Sequence, residues 1–519
     1  LDSILENIAY GAWNGGTSVT NAVFENKGMF FKGGKPVNHE TIEERVGVRT
    51  RISAPSGERI GVPALQDLME TSGIDLAQIK VVIGATNIGD DKFDAGPLIR
   101  YPFELLRPYC PHAVVCDLYA GCPGFNVAAE VVFMLSLSGF LKSGDVSVIV
   151  AAENVNRANV FKPLDTSNII FGDDAMAEAF ETKVSLNPEG RYSRIGKVVS
   201  ATEENFPKEI AKTIFELNGN NRVDGIIVDN QLGKLQYRVP ATAVRIQHCL
   251  VELMHPEEVS KGTFHDFKNA INFYDKRVRS FAFDIMSFDK EGLVVERLAR
   301  AYVESGKCEA VVSVYLAPDF TAKVTLHQGQ GYLFHRPRYG VVDTLTRTHG
   351  CFAGYIEALP ENGDVFGEID GKGVFLYATR GAGAHFSELL PANNLALEDI
   401  DLLIEHQANF AMIPLTIERL LEGTKMERKK AVVEFVADKM VTNIHERGNC
   451  SVVCMLRLPY DLERGVLKES VIQGYPVNRN LENLKSAEIV MSDSVGAGMT
   501  RSSLLERKRK DLSIMISSP

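Results

Sequence analysis

Residues 113 to 141 confine the fold more than any other stretch of this chain. A short β-branched run, Ala113 to Cys116, reads as a buried strand, and Gly121 and Gly124 let the backbone turn sharply after it. Cys122 to Leu141 then reads as a long apolar helix whose most apolar part, Val127 to Leu141, carries Glu130 as its one charge. That stretch is too short and too interrupted to span a bilayer, so it reads as a helix buried inside a layered protein. Pro123 has the fixed φ suited to a first helical position, which predicts Cys122 at a helix N-terminus. Unpaired N–H groups and the positive end of the helix dipole favour thiolate over thiol there. An isolated cysteine is more often a small buried hydrophobe, and other segments have to decide between the two readings.

Two stretches in the second half bear on that choice. Ile404-Glu405-His406-Gln407-Ala408-Asn409 follows an apolar strand and opens a helical segment, and Arg447-Gly448-Asn449-Cys450-Ser451 precedes an apolar run through Leu456. Taken singly, His406 reads as a packed or exposed histidine and Asn449 as a turn former. In chain order, Cys122, His406 and Asn449 resemble the Cys-His-Asn active site of the thiolase superfamily, in particular the β-ketoacyl-acyl-carrier-protein synthase III type. The HQAN signature is intact, and the remaining two appear as GNCS and AGCPGF. Phe171 to Ala175 resembles the family's FGDGA loop, Glu43 to Ile52 its TRTGIRERR segment, and Val495 to Met499 its glycine-rich closing turn.

Length and composition agree with such an enzyme. At 519 residues the chain has room for about three domains, or two large ones with an insertion. A formal charge of −11 argues against general nucleic-acid binding. Eight cysteines, with no CxxC pair and no Cys/His cluster at zinc spacing, read as reduced thiols of a cytoplasmic enzyme that holds no metal. The first residue is Leu rather than Met, so targeting signals are not read from this sequence.

Strand-like and helical runs alternate as in βαβ units: Lys80 to Ala85, Ala113 to Cys116, the helix from Cys122, then Val146 to Ala152. Later, Phe375 to Leu390 reads helical, Asp399 to Ile404 as a strand, Ala411 to Leu421 as a helix and Cys450 to Leu456 as a strand. The resemblance implies an α/β thiolase-like fold of duplicated βαβ halves in αβαβα layers. Residues 1–195 would form the half with the nucleophile and 321–519 the half with His406 and Asn449. Residues 196–320 would be an extra folded insertion, with strand-like Gly225 to Val228, helical Val294 to Glu304 and strand-like Ala310 to Tyr315. Glu427 to Lys430 reads as a small charged insertion and Arg507 to Lys510 as a solvated charge run.

The chemistry implied by the resemblance is a Claisen condensation between acyl thioesters with no bound cofactor. Cys122 would take an acyl group from acyl-CoA or a phosphopantetheinyl acyl carrier protein, with the N–H groups of Cys122 and Gly498 as oxyanion hole. His406 and Asn449 would hold the enolate formed when a malonyl or β-ketoacyl thioester is activated. The family also implies a homodimer and an acyl carrier protein partner. Arg45, Arg49 and Arg51 are candidates for a phosphopantetheine phosphate or an acidic carrier surface, against the alternative of an exposed charged loop. Thr41 stands where the family often has a CoA-stacking tryptophan, and Trp13 is the only tryptophan. Glu153, at a strand end, is a candidate proton-transfer group, for instance in cyclisation to a resorcinol-type product. Three rivals stay open: an acyltransferase of the same fold passing the acyl group to an alcohol, amine or thiol; a ketosynthase that also cyclises; and a catalytically silent binding subunit.

Overall fold

The computed structural model describes residues 1–55, 58–88, 98–155, 160–422 and 428–509. Its strands build one ten-stranded and one four-stranded sheet, with three small two-stranded pairings beside them. In chain order the large sheet contains β1 (Leu5–Ala12), β2 (Ile79–Ala85), β3 (Val114–Tyr119), β4 (Val146–Glu153), β5 (Asp174–Thr182), β6 (Arg191–Ser200), β7 (Gly225–Asn230), β8 (Phe281–Ser287), β9 (Ala310–Leu316) and β10 (Thr321–Gln330). The small one contains β11 (Gly340–Thr348), β12 (Leu402–Glu405), β13 (Ile489–Gly496) and β14 (Thr500–Arg507). The helices that bear on the site are α1 (Gly124–Leu137), α2 (Thr242–Met254), α3 (Leu293–Glu304) and α4 (Cys454–Glu463).

The large sheet runs β1-β5-β4-β2-β3-β8-β7-β9-β10-β6. Outward from the β3/β8 seam, both sides repeat one pattern. β2 lies parallel to β3 and β4, and β5 pairs antiparallel with β4 and β1. β7 lies parallel to β8 and β9, and β10 pairs antiparallel with β9 and β6. The seam itself is antiparallel, with Asp284 opposite Tyr119 and Ser287 opposite Cys116. The region read as an insertion, 196–320, is therefore a second copy of the N-terminal unit, reaching from Arg191 to Gln330. β10, assigned by sequence to the C-terminal half, belongs to it, because its hydrogen bonds go to β9 and β6. The small sheet repeats the pattern once more: β12 is parallel to β13, and β14 pairs antiparallel with β13 and β11. Its counterpart of β3 shrinks to a single bridge between Leu403 and Met440.

Every residue of α1 is buried. It lies in a core shared by Val81, Ile83 and Ile149 of the large sheet, Leu402, Ile404 and Leu504 of the small one, and Leu298 and Tyr302 of α3. Each large apolar side chain so enclosed contributes roughly 1.5–3 kcal/mol. Glu130, its one charge, accepts from Tyr302 Oη at 3.0 Å and Thr346 Oγ1 at 2.8 Å, so all three units meet around one satisfied carboxylate. The buried helix expected from sequence is present but shorter, and Pro123 (φ −66°) caps it from outside, leaving Cys122 in the preceding turn.

One element type is corrected. Cys450 to Leu456, expected as a strand, is a 3-10 turn at Ser451–Val453 followed by α4. A short apolar run has no periodicity that separates a buried strand from a buried helix. Glu427 and Lys510, from the two charged runs, lie outside the described residues, whereas Arg507 closes β14 instead of starting a tail. No helix among the described residues is long and apolar enough to cross a membrane.

Candidate active site

Two glycines make the elbow possible. Gly121 has φ +72°, and a Cβ there would stand 2.5 Å from Ala497 N; a Cβ on Gly496 would stand 2.2 Å from Cys122 N. The turn at 496–499 is thus pressed backbone to backbone on Cys122, and neither position accepts a side chain. Gly498, the expected second oxyanion donor, sits on that turn at φ +79°, its Cα facing Val244 of α2. The glycine in contact with the Cys122 amide is Gly496.

His406 follows β12, its N–H bonded to Asp493 O at 2.9 Å. Asn449 is fixed by its own backbone: its N–H donates to Ile170 O at 2.7 Å and its carbonyl accepts from Gly172 N at 3.0 Å. Beside it, Asp174 takes both Arg447 (3.0 Å) and the buried Arg457 (2.6 Å). Those cations hold its carboxyl below the usual carboxylate range in spite of burial. The FGDDA and GNCS segments found by sequence are therefore clamped together.

Among the described residues, no hydrogen bond directly joins Cys122, His406 and Asn449, yet one network contains all three. Asn449 Oδ1 accepts from Ser451 N at 2.8 Å, and Ser451 Oγ donates to Cys122 Sγ at 3.4 Å. Ser451 O receives Cys454 Sγ at 3.0 Å, and that sulfur lies 3.2 Å from His406 Nδ1. Ser451 holds φ +50°, a backbone state non-glycine residues rarely adopt.

Glu153 belongs to the same network. It accepts from Thr86 Oγ1, Asn87 N and Asn87 Nδ2, each at 2.8 Å, and Asn87 Nδ2 also donates to Ser451 Oγ at 2.9 Å. Burial raises its pKa against the pull of these donors, the Ser451 hydroxyl among them.

Electrostatics correct the expectation of a resting thiolate. Burial pushes the partly buried Cys122 thiol up to about 12, with the Ser451 hydroxyl pulling down and the Glu153 charge pushing further up. Burial is the largest of these influences, and α1 starts two residues after Cys122 instead of at it. Burial, then the neighbouring Arg501, pushes His406 down to about 3, so its ring is neutral.

The three arginines do not form one patch. Arg51 is buried, bonded to Asn21 Oδ1 (2.7 Å) and Ile169 O (2.8 Å), and is no carrier contact. Arg49 is tied to Glu43 Oε1 (2.6 Å), Ser470 Oγ and Val471 O. Arg45 alone is exposed, stacked over Phe31 at 4.7 Å. Thr41 closes a capping box with Asn38, and Trp13 is buried with its indole N–H on Glu58, so neither takes the stacking role. Sequence reasoning missed Ser451, Cys454 and Asn87. Ser451 lay inside the quoted GNCS signature, and Cys454 was hidden in the run misread as a strand.

No family model matches the chain. In solved structures, its fold aligns with 3-oxoacyl-[acyl-carrier-protein] synthase III of Aquifex aeolicus at TM-score 0.52 and 14% identity, spanning 97% of this chain and 100% of that one. The Thermus thermophilus enzyme gives TM-score 0.52 and 17% identity over 97% and 99%. The fold is that of the β-ketoacyl synthase III proteins. The priming β-ketosynthase of the R1128 polyketide pathway is also similar, at TM-score 0.52 and 15% identity over 98% of this chain and 96% of that one. In sequence, the β-ketoacyl-[acyl-carrier-protein] synthase III of Helicobacter pylori (strain Shi470) is 25% identical over 247 residues, 43% of this chain and 66% of that protein. That of Wolbachia pipientis wMel is 26% identical over 174 residues, 32% and 45% of the two chains. The chain thus spans just under two thirds or less of these synthase III relatives.

Proposed function

We propose that this protein is a ketosynthase that joins a Cys122-bound acyl group to a malonyl or β-ketoacyl thioester by Claisen condensation, in fatty-acid or polyketide-type biosynthesis. The observation that carries the reading is the single hydrogen-bonded network containing Cys122, Asn449, His406 and Glu153 on a synthase III fold.

Because Cys122 rests as a thiol, acylation requires a base, and Glu153 is placed to serve. The Ser451 hydroxyl is near both: it rests as a donor to Cys122 Sγ, and once turned toward Glu153 it can take up the thiol proton while its own passes to that carboxylate. The thiolate attacks the thioester carbonyl, the oxyanion is met by the Cys122 N–H and an N–H of the 496–499 turn, for which the sequence named Gly498, and the carrier thiol leaves with the proton taken up by Glu153. A malonyl thioester then loses carbon dioxide, and the electron pair of the broken bond becomes an enolate. His406 Nε2 and Asn449 Nδ2 hold its oxygen; the other polar atom of each side chain is already engaged, on Cys454 and on Ser451 N. The enolate carbon attacks the acyl carbonyl, the C–S bond breaks, and a β-keto product departs.

Nothing in this sequence of steps needs a bound cofactor. Acyl-CoA and phosphopantetheinyl acyl carrier protein are the donors the reading proposes, carrier protein being the partner named for the relatives. Arg45 is the exposed arginine left to meet a phosphate or a carrier. A homodimer, as the resemblance implies, has to use a surface other than the β3 edge, which β8 already covers. Incubation with an acyl donor and malonyl carrier protein, followed by intact-mass and carbon dioxide measurements, tests the reading. Acylation with decarboxylation supports it, and acylation with transfer to another acceptor and no carbon dioxide overturns it.

A further inference from the structure

We propose that Tyr377 is a positioning residue that holds the 496–499 turn against Cys122, so that the oxyanion of acylation meets an N–H fixed in place before substrate arrives. The turn joins β13 to β14, whose arms close with Gly496 opposite Thr500. Within it Gly498 (φ +79°) and Met499 (φ +48°) are both left-handed. A non-glycine residue keeps that conformation only where its surroundings fix it. Here the fixed point is the Met499 carbonyl, whose two lone pairs take His349 N–H at 3.1 Å and Tyr377 Oη at 2.6 Å.

Tyr377 reaches the turn from the helix Gly371–Ala392, and burial keeps its phenol protonated by pushing it well above the usual range. Its oxygen lies 2.7 Å from His349 Nδ1, and His349 Nε2 lies 2.9 Å from Asp275 Oδ1. A chain of side chains thus runs from Asp275, in the second unit of the large sheet, to the turn beside the nucleophile. Val244 of the same unit packs on Gly498. The turn in turn abuts Cys122 through Gly496 and Gly121 through Ala497, so a shift at Met499 is passed to the N–H groups that face the thioester. Arg501 donates to Ala378 O and ties the same helix to β14, which keeps the helix docked when the Tyr377 hydroxyl is removed. The use of a turn N–H for an oxyanion rests on the function proposed above; the hold on the turn does not.

Two reactions at Cys122, run on the full chain and read by peptide-resolved mass, test the assignment. Acylation by an acyl-CoA develops an oxyanion, and alkylation by iodoacetamide does not. In Tyr377→Phe acylation should slow about tenfold, part of the roughly 10²- to 10³-fold that one oxyanion donor contributes, while alkylation changes less than about twofold. Hydrogen–deuterium exchange of the peptide covering residues 495–501 should speed up in the same variant, with exchange in α1 unchanged. Asp275→Asn, which weakens the far end of the chain without opening a cavity, should show a smaller loss of the same kind and decides the matter if the phenylalanine variant fails to fold. Equal slowing of acylation and alkylation, or no change in either, overturns the proposal. Selective loss of acylation in a protein that releases no carbon dioxide from malonyl carrier protein ends the condensation reading and leaves the assignment of Tyr377 standing. No selective loss in a protein that does release it ends the assignment alone.

Discussion

Asp117 and Asp284 occupy the same place in two copies of one unit. Asp117 of β3 accepts the backbone N–H groups of Leu98 and Ile99, and Asp284 of β8 accepts those of Thr242 and Ala243, each ahead of or at the start of a helix. Five residues after Asp117 comes Cys122, and five after Asp284 comes Asp289. Asp289 accepts from Glu291 N, Leu293 N and Val294 N and caps α3. The second copy thus carries a capping carboxylate where the first carries its nucleophile. It covers the β3 side of the first unit through β8 and, through Val244, faces the closing turn.

Asp284→Asn should destabilise the protein by about 1–3 kcal/mol, the penalty for disturbing buried hydrogen bonds to backbone donors. Asp289→Ala, which removes only a helix cap, should cost about 0.5–2 kcal/mol. Urea unfolding followed by circular dichroism checks both. Acylation of Cys122 at temperatures where the variants stay folded should persist, because neither residue touches the network.

The reactivity of Cys122 gives a pH test. With the thiol pushed up to about 12, the thiolate fraction rises about tenfold per pH unit through the neutral and mildly alkaline range. Alkylation of Cys122 by iodoacetamide should follow that line with no plateau near neutrality. Glu153→Gln removes a charge that pushes the thiol upward, so alkylation at a fixed alkaline pH should speed up. Acyl transfer from a thioester at neutral pH should slow by roughly 10²- to 10⁴-fold in the same variant, the range for loss of a general base. Opposite signs from one substitution separate a proton acceptor from a merely structural carboxylate.

His406→Ala should leave acyl-Cys122 formation largely intact and reduce carbon dioxide release by roughly 10²- to 10³-fold. Equal losses in both half-reactions, read by intact mass and by gas evolution, would contradict the division of labour drawn here.

Asp174 holds the Asn449 loop through Arg447 and Arg457. Asp174→Asn leaves a buried guanidinium without its counter-charge and should cost about 3–5 kcal/mol. In wild type the carboxyl is depressed when folded, so its contribution is complete above the unfolded value of about 3.9 and is lost as pH falls through the lower folded value. Acid unfolding curves should therefore be shallower at low pH in the variant than in wild type.

Much of the site was legible because chemistry fixes residue type at strand ends and turns. His406 follows an apolar strand as its motif suggested, whereas Cys122 lies in the turn ahead of α1 and Asn449 precedes a 3-10 turn and helix where a strand was read. The helix of residues 371–392, read as 375 to 390, and β7, α3 and β9 in the middle region were also visible from periodicity. What periodicity lacks is pairing. That the middle region repeats the first unit follows from hydrogen bonds between strands, and sequence offers only Asp117 and Asp284 at matched positions as a hint. Arg51 illustrates a second limit: an arginine in a charged segment reads as surface, and only packing against Phe24 and Asn21 reveals it as interior. Ser451 is a third case, since its role comes from a rare backbone angle that aims its hydroxyl at a sulfur more than three hundred residues away.

The most direct test is a peptide-resolved mass measurement on the full chain after incubation with an acyl thioester, with and without malonyl carrier protein. The account predicts an acyl adduct on the peptide containing Cys122, discharged with release of carbon dioxide when the malonyl partner is added. Acyl mass on any other residue, or an unmodified Cys122 in a folded protein that nonetheless consumes both substrates, would contradict it.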